Sequence, residues 1–158
     1  MGSLHLSVEI DAPRDRVFVF FVPQRMPLWY APEMETEFEV AGGEADFRVG
    51  QKVRITGRLG KREVTLTAVV QRYDWMHSLE WEFQDAYGVR GRQIWQVDDA
   101  PSGTRVVMHE WYTFPGRLGR WLDPILMRPS IRARDKRMLE NLKRYAEARP
   151  APTPPPPS

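Results

Sequence analysis

The string GTRVVMHEWYTF at residues 103–114, followed by LGRWLDPILMRPSIRARDKRMLENLKRYAE at 118–147, decides the fold class. In the first string Val106, Met108, Glu110 and Tyr112 share one parity, and Val107, His109 and Trp111 share the other. Period two marks a strand, because successive side chains point to opposite faces. In the second string Leu118, Trp121, Leu122, Ile125 and Leu126 recur at helical spacing, and Ile131, Met138, Leu139, Leu142 and Tyr145 continue the stripe. Pro129 lies inside that stripe and predicts a kink or split near Arg128.

Upstream of this strand–helix junction, period two dominates. Leu4, Leu6, Val8 and Ile10 alternate with polar residues in a first strand. Asp11-Ala12-Pro13 follows, with Asp11 as the expected helix N-cap and Pro13 in the first turn. Val17, Phe18, Phe20 and Phe21 give that short helix an apolar face, and Pro23 ends it. Residues 24–30 read as a second short helix with Trp29 and Tyr30 turned inward. Six β-rich runs then span about 34–41, 50–58, 61–73, 76–84, 88–98 and 103–114, separated by Gly- and Asp-bearing turns. The order is strand, two short helices, six strands, long helix. This is an α+β layout: an antiparallel seven-stranded sheet whose apolar face needs a cover, which the C-terminal helix is long enough to supply.

A chain of 158 residues suits one domain with a sizeable core. We place that domain at 1–147. Residues 148–158, mostly proline, read as an exposed extended tail. The absence of cysteine excludes disulfides, thiolate metal sites and cysteine catalysis. The first residues lack the basic start and apolar run of a signal peptide, and no segment nears the ~20 apolar residues of a membrane span. A cytoplasmic protein without stable membrane insertion is the expectation. Its oligomeric state is not legible. Residues 117–149 carry eight Arg and two Lys against four acids, which is the solvated face of a helix or a docking surface for acidic partners. Nucleic-acid binding is not expected, because no recognition module accompanies those charges.

The order of elements and three strings together resemble the START-like superfamily, with its polyketide cyclase/dehydrase and lipid-transport group. The strings are VEIDAPRDRVFVFF at 8–21, the strand at 103–114 and the helix at 118–147. The resemblance runs to about residue 147. It implies a helix-grip fold of the Bet v 1-like kind, in which a curved sheet wraps a long helix around a cavity for a small hydrophobic ligand. Activity is implied less firmly, since one fold hosts carriers, receptors and enzymes.

Signatures of serine hydrolases, zinc proteases and phosphate loops are absent. His5, His77 and His109 sit on three expected strands without metal-ligand spacing, so neither a metal nor a cofactor is expected. Trp81 and Phe83 share a face with Leu79 and His77; Trp95 shares one with Gln93 and Val97; Met108 and Tyr112 share one with Glu110. These aromatics either line a cavity or fill a core. As cavity residues, Trp81, Phe83, Trp95, Met108 and Tyr112 line the sheet side, and Trp121, Leu122, Ile125 and Met138 close the helix side. Glu110 and His77 are the candidate catalytic or anchoring groups. A desolvated Glu110 carboxyl would gain a raised pKa and serve as general acid or base. Arg90, Arg92 and His77 are its expected partners. A bulge that turns Glu110 outward, or a structural ion pair, are the competing readings. Three functions follow: a binding protein for a lipid-like or aromatic molecule, a cyclase/dehydratase-type enzyme, or an interaction protein using the basic helix or the proline tail.

Overall fold

The computed structural model describes residues 2–43, 46–117 and 128–148. Seven strands form one antiparallel sheet in the order β1-β7-β6-β5-β4-β3-β2. They are β1 (Gly2–Ile10), β2 (Glu37–Val40), β3 (Lys52–Leu59), β4 (Arg62–Asp74), β5 (Ser78–Asp85), β6 (Arg90–Ala100) and β7 (Gly103–Thr113). Two short helices, α1 (Arg14–Phe18) and α2 (Met26–Trp29), connect β1 to β2 through a 3-10 turn at Pro32–Met34. The chain closes with α3 (Arg128–Glu147).

Among the described residues the helix runs from Arg128 to Glu147, with Pro129 second in that run. Asp135, Met138, Leu139, Leu142 and Ala146 form its buried stripe. That stripe packs on β1 and on α2. Lys143 fastens the far end by donating to the Glu9 carbonyl at 2.9 Å, and the Asp11 N–H donates to Glu147 at 3.2 Å. Asp11 is therefore not the expected cap. The N-cap of α1 is Pro13, whose side chain makes no cap bond, and α1 is shorter than the run up to Pro23.

Parity along the strands decides what faces α3. Register aligns Trp81 with Gln93, Gln93 with Glu110 and Glu110 with Leu4, so four strands contribute to one inward row. The next row is Leu79, Trp95, Met108 and Leu6. A bulge between Val70 and Arg72 shifts the register of β4. Ala68 and Val70 point inward before it, and Tyr73 does so after it, packing on Phe18 and Phe47. An unbroken period over 61–73 would have turned Tyr73 out.

Trp29, Trp81, Trp95, Phe18 and Phe21 are fully buried between sheet and helices. Trp81 and Trp95 meet edge to face at 5.0 Å, Trp29 meets Trp95 at 6.3 Å, and Tyr30 meets Trp81 at 6.1 Å. Such perpendicular pairs add favourable quadrupole contacts to the area they bury.

Candidate functional site

The inward rows of the sheet place five expected sheet residues together. Trp81, Phe83, Trp95, Met108 and Tyr112 are all buried on the face toward α3, as is Glu110 between Met108 and Tyr112. Met138 is buried on the facing helix. Trp121, Leu122 and Ile125 lie outside the described residues. His77 stands apart: it occupies the exposed turn before β5, and its Nδ1 accepts from Arg14 at 2.9 Å. Strand period does not extend to a turn residue, so His77 does not share a site with Glu110. Arg90 and Arg92 also fall away from Glu110, because their parity is that of the outer face; Arg92 pairs there with Glu80.

Glu110 instead meets partners that the sequence reading did not assign to it. Its Oε1 accepts from Gln93 Nε2 at 3.1 Å, and Arg134 Nη2 donates to its two oxygens at 3.1 and 3.3 Å. The same Arg134 nitrogen donates to Asp135 Oδ1 at 2.8 Å. Gln93 Oε1 accepts twice, from Trp81 Nε1 at 2.8 Å and from the Tyr30 hydroxyl at 3.1 Å. One continuous network thus runs from the aromatic cluster through Gln93 to a carboxyl–guanidinium–carboxyl cluster on α3.

Burial sets the charge of that cluster. Glu110 and Asp135 expose 3% and 0% of their side chains, whereas Arg134 is 33% exposed. Desolvation pushes the Glu110 carboxyl well above the ordinary carboxylate range. Arg134 and the Gln93 bond oppose that shift, while hydrogen bonding and charge from Asp135 reinforce it. Asp135 Oδ2 meets no hydrogen-bond partner among the described residues. Burial alone would lower the Arg134 pKa, but the charges of Glu110 and Asp135 raise it and keep it cationic. Desolvation also raises the pKa of Tyr30, so its hydroxyl remains a donor to Gln93.

The outer face has a different character. An open groove of about 930 Å³ runs along it, lined by Thr65, Thr67, Val69, Glu82, Arg92 and Trp111 among others. Trp95 Nε1, inside, is buried without a hydrogen-bond partner among the described residues. No group of three or more His, Asp or Glu able to hold a metal occurs among the described residues.

Arg134 and Asp135 carried a signal in the sequence. Asp135 interrupts the apolar stripe at Ile131, Met138 and Leu142, four residues after the first and three before the second. An acid at a helix position that must be buried requires a partner. Which partner it finds depends on how α3 crosses the sheet, and no local pattern encodes that.

A family model described as "Polyketide cyclase / dehydrase and lipid transport" matches residues 1–147. The chain belongs to this family. A search of curated proteins found no match. Among solved structures, protein CV1439 from Chromobacterium violaceum is 15% identical, with a TM-score of 0.71 over 93% of this chain and 98% of that one. Ara h 8.0201 is 10% identical, with a TM-score of 0.72 over 92% of this chain and 97% of its own. DynU16, a putative protein in the dynemicin biosynthetic locus, is 18% identical, with a TM-score of 0.67; the match covers 92% of this chain and 47% of DynU16. These likenesses establish the Bet v 1-like helix-grip fold. Family and fold support a role in hydrophobic ligand binding or cyclase chemistry. No helix among the described residues is long and apolar enough to cross a membrane.

Proposed function

We propose that this chain binds a small apolar molecule between the inward face of the sheet and α3, with the polar end of the molecule at the Glu110–Arg134 cluster. The carrying observation is the junction of two environments: rings of Trp81, Trp95 and Tyr30 on one side, and a buried cluster of charged side chains on the other, connected by Gln93. Apolar burial supplies affinity in such a site, and a few fixed polar groups supply orientation. The partly exposed Arg134 guanidinium gives the cluster an edge that solvent, or an incoming polar group, reaches. The test is native mass spectrometry of the purified chain, with solvent extraction, followed by titration with the apolar dye ANS. One bound apolar molecule per chain, held more weakly in Gln93→Ala while the circular dichroism is unchanged, supports the reading. A chain that is empty as purified and takes up no ANS sinks it.

A second reading rests on the Glu110 carboxyl. Burial and the neighbouring Asp135 push its pKa up, which favours the protonated form that general-acid chemistry needs. In a cyclase or dehydratase, Glu110→Gln abolishes turnover and spares binding. In a carrier the same substitution changes affinity alone. Cyclisation assayed on a linear aromatic-type polyketide thioester separates the two.

A further inference from the structure

The outer face brings two of the three histidines together. β1 and β7 pair so that His5 stands directly opposite His109, 104 residues later in the chain. Their ring centroids are 4.1 Å apart with planes 26° from parallel. Trp111, two residues along β7 on the same face, stacks on His109 at 5.6 Å and 10°. His5 is exposed, so its ring is free to turn. Cross-strand register is rigid: the backbone holds both Cβ atoms within side-chain reach whatever the rings do.

We propose that His5 and His109 form a two-histidine site for a late first-row divalent cation, Cu²⁺, Ni²⁺ or Zn²⁺, on the outer face of the sheet. Imidazole nitrogen is the ligand these ions share, at about 2.0–2.1 Å for zinc. Two imidazoles on adjacent strands reach one ion when the rings turn so that their in-plane nitrogen lone pairs converge on it. The side chains flanking the pair on this face are Ser3 and Ser7 on β1, Val107 and Trp111 on β7, and Ile94 on β6. The nearest carboxylates by register, Glu9 and Glu80, are engaged by Arg105 and Arg92. Water therefore completes the coordination, and the order of affinity is that of nitrogen ligands in general, with Cu²⁺ ahead of Ni²⁺ and Zn²⁺.

This site is separate from the Glu110 cluster, so its test does not depend on the proposed ligand. The untagged full chain is titrated with Cu²⁺ by calorimetry, and the equimolar complex is examined by electron paramagnetic resonance. One ion per chain with two nitrogen ligands is the expected result. His5→Ala and His109→Ala each weaken binding by roughly tenfold or more, because each removes the chelate and its high effective concentration. His77→Ala leaves it unchanged. His5 is exposed, so His5→Ala keeps its fold and remains a fair test should His109→Ala unfold. No binding, binding that survives both single substitutions, or an equal loss in His77→Ala overturns the proposal.

Discussion

Glu110 and His109 are consecutive on β7 and occupy opposite environments. Glu110 is buried between aromatic residues and α3, where burial pushes its pKa up. His109 lies on the outer face against His5 and Trp111, where partial burial moves its pKa down. An acid rises and a base falls for the same reason, since loss of solvent penalises whichever form is charged. The inner face is an aromatic layer with one buried polar network. The outer face is an open groove with a shallow ring stack. One strand thus supplies both a sealed proton site and a surface built for exchangeable contacts.

Four experiments break or sharpen this contrast. Core truncation gives the largest effect: Trp95→Ala destabilises the chain by about 3–5 kcal/mol in urea unfolding, because a fully buried indole leaves a cavity. Its outer-face counterpart, Trp111→Ala, costs about 1 kcal/mol or less. Equal losses would erase the distinction between the faces.

Arg134→Ala comes next. It leaves Asp135 buried without its cation and costs about 2–3 kcal/mol, below the range for a fully buried pair because Arg134 is partly solvated. Loss of Arg134 also removes the charge that opposes protonation of Glu110, so Glu110 takes up its proton still more readily.

Glu110→Gln tests the proton itself. A carboxyl whose folded pKa lies above its unfolded value of about 4.3 binds its proton more tightly in the folded state. Its contribution to stability is complete below that unfolded pKa. As pH rises from there to the folded pKa, the unfolded state has released the proton and the folded state has not. Across that window the wild type loses stability relative to Glu110→Gln at about 1.4 kcal/mol per pH unit. Parallel curves of stability against pH for the two chains would mean that Glu110 is ionised in the fold.

The smallest effect belongs to the exposed rim of the outer face. Arg105→Ala breaks the 2.7 Å pair with Glu9 and leaves the urea midpoint unmoved, because solvent already screens both charges.

Much of this architecture is legible in the residues alone. Alternation over 103–114 gave the strand, and the helical stripe gave the helix over 128–147, because each period reflects the geometry of its own backbone; the part of the stripe at 118–127 lies outside the described residues. Parity also placed Trp81, Trp95, Met108, Glu110 and Tyr112 on common faces, and all five are buried. Parity failed where the backbone departs from the ideal. The bulge after Val70 rotates Tyr73 inward, and the turn at His77 removes that residue from the face of β5. A one-residue irregularity exchanges the two faces, and a hydrophobicity pattern does not record it.

What the sequence by itself determined is therefore the set of elements, their order and the facing of most side chains, since these depend on interactions within a few residues. Only the tertiary structure decided who meets whom. Glu110 finds Arg134 and Asp135 because α3 crosses the sheet at β1, and His5 finds His109 because β1 closes on β7 in one register. Both meetings join residues far apart in the chain, and their geometry follows from how the apolar faces pack together, which local sequence does not specify.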